Sequence, residues 1–440
     1  MGNGMTDAVH GRSMAAPETQ TTEVSHKKSL IVVFLCWLAI FAEGYDVGVL
    51  GAVLPSLSTY ENWSLTPMQL GAFGAYTVFG MLLGGIAIGT LSDLYGRKPM
   101  FLFCLALFGI CMVIAASAPT PTIFGISRFV AGLGLGGIIP VAAALTIEYS
   151  PSSRKSFNYG LMYSGYSLGI LASALVGRGM LEEHGWRPVV LIGAFPLLLL
   201  PVMMALLPES LDFLVRRRRT GKARSTAERF GITVPAKATE KMEVPSWRAV
   251  LREIFSRENA FATACFWVAL FMGLLLVYGL AQWLPQIMRS AGYDLGNSLL
   301  FLAVFSFTSA IGGIVLGQWA DKFGVRLTVT LSYLLGAVGI AALSIQGSIW
   351  FNYLVVAVAG FGTVSASLIL TGYLASYLSP QARATGTGWA LSFSRIGALL
   401  GPLLGGYIAS LEVNPNWNFY IFAVIALIAA FATALIPRKA

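Results

Sequence analysis

The sequence predicts an all-α polytopic membrane protein with twelve spanning helices, on the strength of composition, apolar run length and an internal repeat. Of the 440 residues, 56% are hydrophobic and only 11% charged, with a mean hydropathy of +0.73. A soluble protein carries about 25% charged residues. Apolar runs long enough to cross a bilayer, which takes roughly 20 residues, recur along the chain. The repeat divides them six and six. Gly89 to Lys98 recurs, degraded, at Gly317 to Arg326, 228 residues later. Ser150, Pro151 and Arg154 recur as Ser379, Pro380 and Arg383, and Gly160, Gly169 and Gly177 recur as Gly388, Gly397 and Gly405. Pro208 and Pro437 close the two halves. Agreement of this extent implies two pseudo-symmetric six-helix bundles.

The spans fall at 29–57, 68–92, 99–118, 121–148, 158–180, 188–208, 260–288, 297–320, 327–346, 349–378, 384–410 and 417–437. Residues 1–28 are polar and lack the short apolar region of a secretory signal, so the first apolar run reads as an uncleaved helix. The divisions are a tail at 1–28, bundles at 29–208 and 260–437, a linker at 209–259 and a C-terminus at 438–440. The linker is basic, with Arg216 to Arg219, Lys222, Arg224, Arg229 and further Lys and Arg residues. Lys28, Arg97, Lys98, Arg154, Lys155, Lys322, Arg326 and Arg383 fall on the same side if both termini do. That bias marks the cytoplasmic side of a membrane protein rather than a nucleic-acid patch. Arg128 and Arg395 depart from it by lying inside spans, and Arg178, Arg187 and Arg289 read as charges at the other side.

Charges inside spans are costly, at about 2.5–3.5 kcal/mol each on insertion scales, unless they face protein or water. Glu43 and Asp46 lie at the centre of span 1, three apart and so on one helix face. They are the deep acidic residues: Asp93, Glu148 and Asp321 sit at helix ends, and His10, His26 and His184 lie in the tail or a loop. A carboxyl desolvated in a helix interior is suited to loading and unloading a proton. Arg395 has no acidic residue in its own span, and a guanidinium holds an organic carboxylate bidentately. Arg128 is open to two roles, a charge relay that pairs with Asp46 or a structural contact. Tyr278 and Gln282 share a face of span 7, and with Trp283, Trp389 and Tyr166 they are candidates to clamp a ring. Gly89, Asp93, Gly96 and Arg97, with Asp321 and Arg326 in the second copy, read as a cytoplasmic lock between conformations.

Several functions are excluded. Cys36, Cys104, Cys111 and Cys265 lie in apolar runs without metal-ligand spacing and read as packing residues. No phosphate-binding loop, metal cluster or catalytic triad stands out, which disfavours an enzyme or an ATP-driven pump. No cofactor and no metal are expected, which leaves coupling to an ion gradient.

These residues resemble a known group. Gly89 to Lys98 is similar to the loop 2–3 signature of the major facilitator superfamily. Arg128, Gly132, Gly134 and Gly136 resemble its fourth-helix pattern, and Pro208-Glu209-Ser210 its pattern at the end of helix 6. The resemblance runs from residue 29 through the chain. Within the superfamily the sequence looks like the aromatic acid:H⁺ symporters. The resemblance rests on Glu43-Gly-Tyr-Asp46 in helix 1, Gln282-Trp283-Leu284-Pro285 in helix 7, and Arg395 after Gly386-Thr387-Gly388 in helix 11. The first acid of the motif is Glu here, where many members have Asp. The resemblance implies a monomer in the bacterial inner membrane, both termini cytoplasmic, that imports a benzoate-type acid with H⁺. The other functions open at this point are symport of a non-aromatic acid such as a muconate, proton-coupled export of drugs or metabolites, and a non-transporting sensor.

Overall fold

The computed structural model describes residues 26–151, 154–230, 253–257, 259–345, 347–379 and 383–437. The side chains at 26, 27, 93, 156 and 383–385 lie outside the described set. Among the described residues, twelve helices are long and apolar enough to cross a membrane. They are α1 (His26–Ser58), α2 (Pro67–Tyr95), α3 (Arg97–Ser117), α4 (Pro121–Glu148), α5 (Lys155–His184), α6 (Trp186–Leu206), α7 (Ala260–Ser290), α8 (Leu295–Phe323), α9 (Val325–Ala342), α10 (Ile349–Tyr377), α11 (Arg383–Ser410) and α12 (Asn416–Ala434). Residues 1–25 of the expected tail, 231–252 of the linker and 438–440 lie outside the described residues. Within the linker, Leu211–Arg216 and Thr220–Phe230 are short helices.

Local chemistry sets the helix starts. Thr66 opens α2 with a capping box to Gln69, and Pro67 occupies the first turn, where its missing N–H is not needed. At α4 the Thr120 side chain caps the Ile123 N–H and Pro121 fills the first turn, while Asp294 caps α8 and Ser348 caps α10. Asp294 accepts hydrogen bonds from Asn297, and these hold its carboxyl below the ordinary carboxylate range. The sixth span is broken. Trp186–Ile192 ends at Gly193, and the helix resumes at Pro196, because a proline removes a helix donor and clashes with the preceding turn.

The halves pack alike. In the first, α1 lies on α5, α2 on α4, and α3 on both α4 and α6; in the second, α7 lies on α11, α8 on α10, and α9 on both α10 and α12. The halves meet where α2 touches α11, α5 touches α8, and α1 touches α7. The molecule is thus two pseudo-symmetric six-helix bundles, as the repeat implies.

The contact between halves is concentrated at the end away from the helix termini His26 and Ala434. There a side chain on Gly71 would meet the Pro402 carbonyl, one on Gly406 would meet the Pro67 carbonyl, and one on Gly74 would meet Gln282. Toward the opposite end, side chains added at Gly89, Gly160, Gly317, Gly372 or Gly388 would meet nothing within 4 Å. The glycine contacts that join α2 to α11 and α7 therefore lie toward the far end.

Candidate functional site

The two central carboxylates of α1 occupy different surroundings. Gly44 sits between them and presses on the backbone of Tyr166 in α5, so that any side chain there would collide with the Tyr166 carbonyl. This close approach fixes the rotation of α1. Asp46 is fully buried, and Arg128 of α4 embraces it. One guanidinium nitrogen bonds Asp46 Oδ1, and Arg128 Nη2 reaches Oδ2 at 2.9 Å. Arg128 is 2% exposed, and its Nη1 also lies 3.7 Å from Met112 Sδ. Fork-to-fork pairing of this kind is the strongest form of charge-assisted hydrogen bond. The carboxylate that Arg128 holds is the protein's own, so both Nη groups are unavailable to an external anion in this state.

Glu43 is 1% exposed, and its Oε2 has no hydrogen-bond partner. Its carboxyl lies within electrostatic reach of Arg395 on α11, in the other half, and of Asp46. Among the described residues, no ion pair within 4 Å joins Glu43 to Arg395, and Arg395 has no ion-pair partner at that distance. Around this separated pair stand tyrosines from both halves. Tyr278 of α7 and Tyr163 and Tyr166 of α5 feel the Glu43 charge, and Tyr163 and Tyr278 also feel Arg395. Tyr159, Tyr163 and Tyr166 form a ladder along α5 with successive ring centroids 6.1 Å apart. The Tyr166 hydroxyl is buried and faces Tyr278 without a hydrogen bond of good geometry. The Tyr278 hydroxyl lies 3.9 Å from Met81 Sδ.

The remaining ring-clamp candidates divide. Gln282 is buried against Gly74 of α2 with Oε1 unpartnered, so it faces across the halves on the closed side. Trp283 is buried, its indole N–H donates to the Pro402 carbonyl at 2.9 Å, and its ring lies against Gly405. Those contacts commit it to joining α7 and α11. Trp389 is 43% exposed and lies six residues before Arg395, off its helical face.

The loop 2–3 signature is held by two carboxylates. Glu209 Oε1 accepts from the backbone N–H groups of Arg97 at 2.9 Å, Lys98 at 3.1 Å and Ser210 at 2.8 Å. It thereby satisfies donors that the first turn of α3 leaves without helical partners. Glu148 Oε2 pairs with Arg97 Nη1 at 3.0 Å, and Glu148 Oε1 accepts from Asp212 N at 2.8 Å. The turn at Gly96 has φ of +112°, and a side chain there would crowd Glu209 and Phe213. The side chain of Asp93 lies outside the described residues, and Gly89 faces open space. In the second copy Asp321 is exposed, while Arg326 Nη1 donates to the Ile436 carbonyl at 2.7 Å. Tyr377 and Arg438 stand where the repeat would place the equivalents of Glu148 and Glu209. Glu209→Ala is expected to destabilise the chain by about 1–3 kcal/mol, since it strips partners from clustered backbone donors. Thermal unfolding in detergent measures this, and an unchanged midpoint would refute the anchoring role.

Sequence reasoning passed over Tyr163, Glu148 and Glu209 as functional residues. The signal for Tyr163 is the spacing of Tyr159, Tyr163 and Tyr166 by four and three residues, which puts them on one face of α5. That for Glu209 is its place in Pro208-Glu209-Ser210.

Twelve spans in two like halves, with charged and tyrosine side chains from both at their interface, define a membrane transport protein rather than an enzyme. Residues 36–312 and 298–440 match the model of the Major Facilitator Superfamily, and the chain belongs to that family. It is 35% identical to the benzoate transport protein of Acinetobacter baylyi over 93% of this chain and 89% of that protein. It is 32% identical to a 4-hydroxybenzoate transporter of Pseudomonas putida over 91% of this chain and 90% of that protein. Among solved structures, the xylose transporter XylE of Escherichia coli superposes with a TM-score of 0.73. That match covers 93% of this chain and 100% of that one at 17% sequence identity, a likeness of fold.

Proposed function

We propose that this transporter is a symporter that carries a benzoate- or hydroxybenzoate-type carboxylate into the bacterial cytoplasm together with H⁺. The observation that supports it most is the juxtaposition of Glu43 and Arg395. They are opposite charges from opposite halves, within electrostatic reach yet without an ion pair, and tyrosines surround them. The likeness to transporters of benzoate and 4-hydroxybenzoate supports the class of substrate.

The mechanism follows from competition for one guanidinium. When Glu43 carries a proton, Arg395 is free to bind the substrate carboxylate through its fork. When Glu43 loses the proton to the cytoplasm, its charge competes for Arg395 and the anion is released. Intramembrane carboxyls of this kind are the usual sites of proton relays. Asp46, locked to Arg128, sets the charge beside Glu43 and holds α1 against α4. Tyr163, Tyr166 and Tyr278 contact the ring, with Gln282 closing the path on the far side. Alternation is a rocking of the two bundles about this site, with Gly89 to Arg97 and Asp321 to Arg326 as the cytoplasmic lock. The basic stretch 209–259 and both termini lie in the cytoplasm, following the positive-inside bias, and the working unit is a monomer.

Uptake of labelled benzoate-type acids into proteoliposomes, with and without an inward-directed pH gradient, tests this. Accumulation that requires the gradient is expected; none across a panel of aromatic acids would overturn it. Glu43→Gln is expected to abolish gradient-driven accumulation while retaining exchange of labelled for unlabelled substrate. Accumulation by the variant equal to that of the parent would remove Glu43 from the coupling mechanism.

A further inference from the structure

An apolar groove of about 420 Å³ runs between the first turns of α1 and the last turns of α6. Leu30, Phe34 and Leu38 form one wall, and Leu199, Val202 and Leu206 the other. It opens on the bundle periphery, where Phe34 is 56% and Val202 47% exposed. The end of the groove near Lys28 adjoins exposed basic residues. Exposed Lys28 donates its ammonium to the Arg229 carbonyl, which ties the helix Thr220–Phe230 to the start of α1. That helix is two-faced: Ala223, Ala227 and Phe230 are buried, with Phe230 edge-on to Tyr149 at 5.0 Å, while Lys222, Arg224 and Arg229 are exposed. The one acidic side chain on it, Glu228, is occupied by Arg224 at 2.9 Å. Arg216 to Arg219, just before it, are also exposed.

We infer that this groove and its basic rim form a binding site for one anionic phospholipid. An acyl chain lies between α1 and α6, and the headgroup phosphate meets Lys28 and Arg229. The charge pattern selects the headgroup. Lys and Arg near a membrane surface attract anionic lipids, and a basic amphipathic helix lies at that depth. A zwitterionic headgroup would bring its own cation against the rim. This occupant is bound at the outer wall of the first bundle, independently of any transported substrate.

The test is native mass spectrometry of the full-length protein in detergent, titrated with phosphatidylglycerol or with phosphatidylcholine of the same chains. Phosphatidylglycerol is expected to bind roughly ten-fold or more tightly, from two cations beside the headgroup. Lys28→Gln with Arg229→Gln is expected to bring phosphatidylglycerol down to the level of phosphatidylcholine. Val202→Trp, at an exposed position on the groove wall, is expected to weaken both lipids, with an unchanged unfolding midpoint showing that the bundle is intact. Equal binding of the two lipids by the parent protein would overturn the proposal. So would a preference for phosphatidylglycerol that survives the double substitution, or full binding of both lipids to Val202→Trp.

Discussion

Asp46→Asn is expected to reduce substrate accumulation to background and to destabilise the folded chain by about 3–5 kcal/mol. Both effects have one origin. Asp46 and Arg128 are buried at 0% and 2% exposure, bound to each other through both terminal guanidinium nitrogens. Removing one charge leaves the other desolvated and unpaired, which costs more than the pair contributes. The field at Glu43 also changes, since Asp46 is one of the two charges that act on it. The double substitution Asp46→Asn with Arg128→Met separates the effects. Loss of both charges is expected to restore most of the stability, as an apolar replacement of a buried pair often does, without restoring accumulation. Thermal unfolding in detergent and labelled uptake in proteoliposomes read the two quantities. If the double variant recovers uptake as well, the pair is only a structural tie between α1 and α4.

Arg395→Leu is expected to weaken binding of a benzoate-type anion by about 2–5 kcal/mol, or roughly 30-fold to several thousand-fold. Arg395 is half-buried in α11, faces Glu43 across the halves and has no ion-pair partner among the described residues. Arg395→Lys keeps the charge but loses the planar fork, so its binding is expected to fall by about ten-fold and remain measurable. Equilibrium binding of labelled benzoate to purified protein checks both variants. An unchanged affinity for Arg395→Leu would place the carboxylate elsewhere.

Much of the fold was legible because a bilayer imposes strict demands. Apolar run length located the twelve spans, and the repeat offset divided them. The edges were less legible. Span 9 was expected to run to residue 346 but the helix ends at Ala342, because the following Leu343 and Ile345 are apolar enough to continue a hydropathy plot through a turn. The charged residues of the site could be named from their cost in the membrane. Their pairing could not be read in full. Glu43 and Asp46 share a helix face at three-residue spacing, yet with Gly44 packed on Tyr166 Asp46 is bound by Arg128 while Glu43 is left without an ion pair, within electrostatic reach of Arg395. Likewise, 112 residues separate Arg97 from the carboxylate that anchors its backbone. Such contacts belong to the assembled bundle and leave only weak local signatures.

The far-end closure is built from backbone: Gly71 packs on the Pro402 carbonyl and Gly406 on the Pro67 carbonyl, across α2 and α11. None of the four ion pairs among the described residues joins one half to the other. Parting the α2–α11 seam therefore separates backbone and glycine surfaces and breaks no ion pair within 4 Å among the described residues. Membrane potential does work on a transporter only where charge is displaced, at about 2.3 kcal/mol per elementary charge per 100 mV. On the mechanism proposed above, voltage is expected to act on the cycle where Glu43, Arg395 and their cargo move, and parting the α2–α11 seam is expected to add little to it.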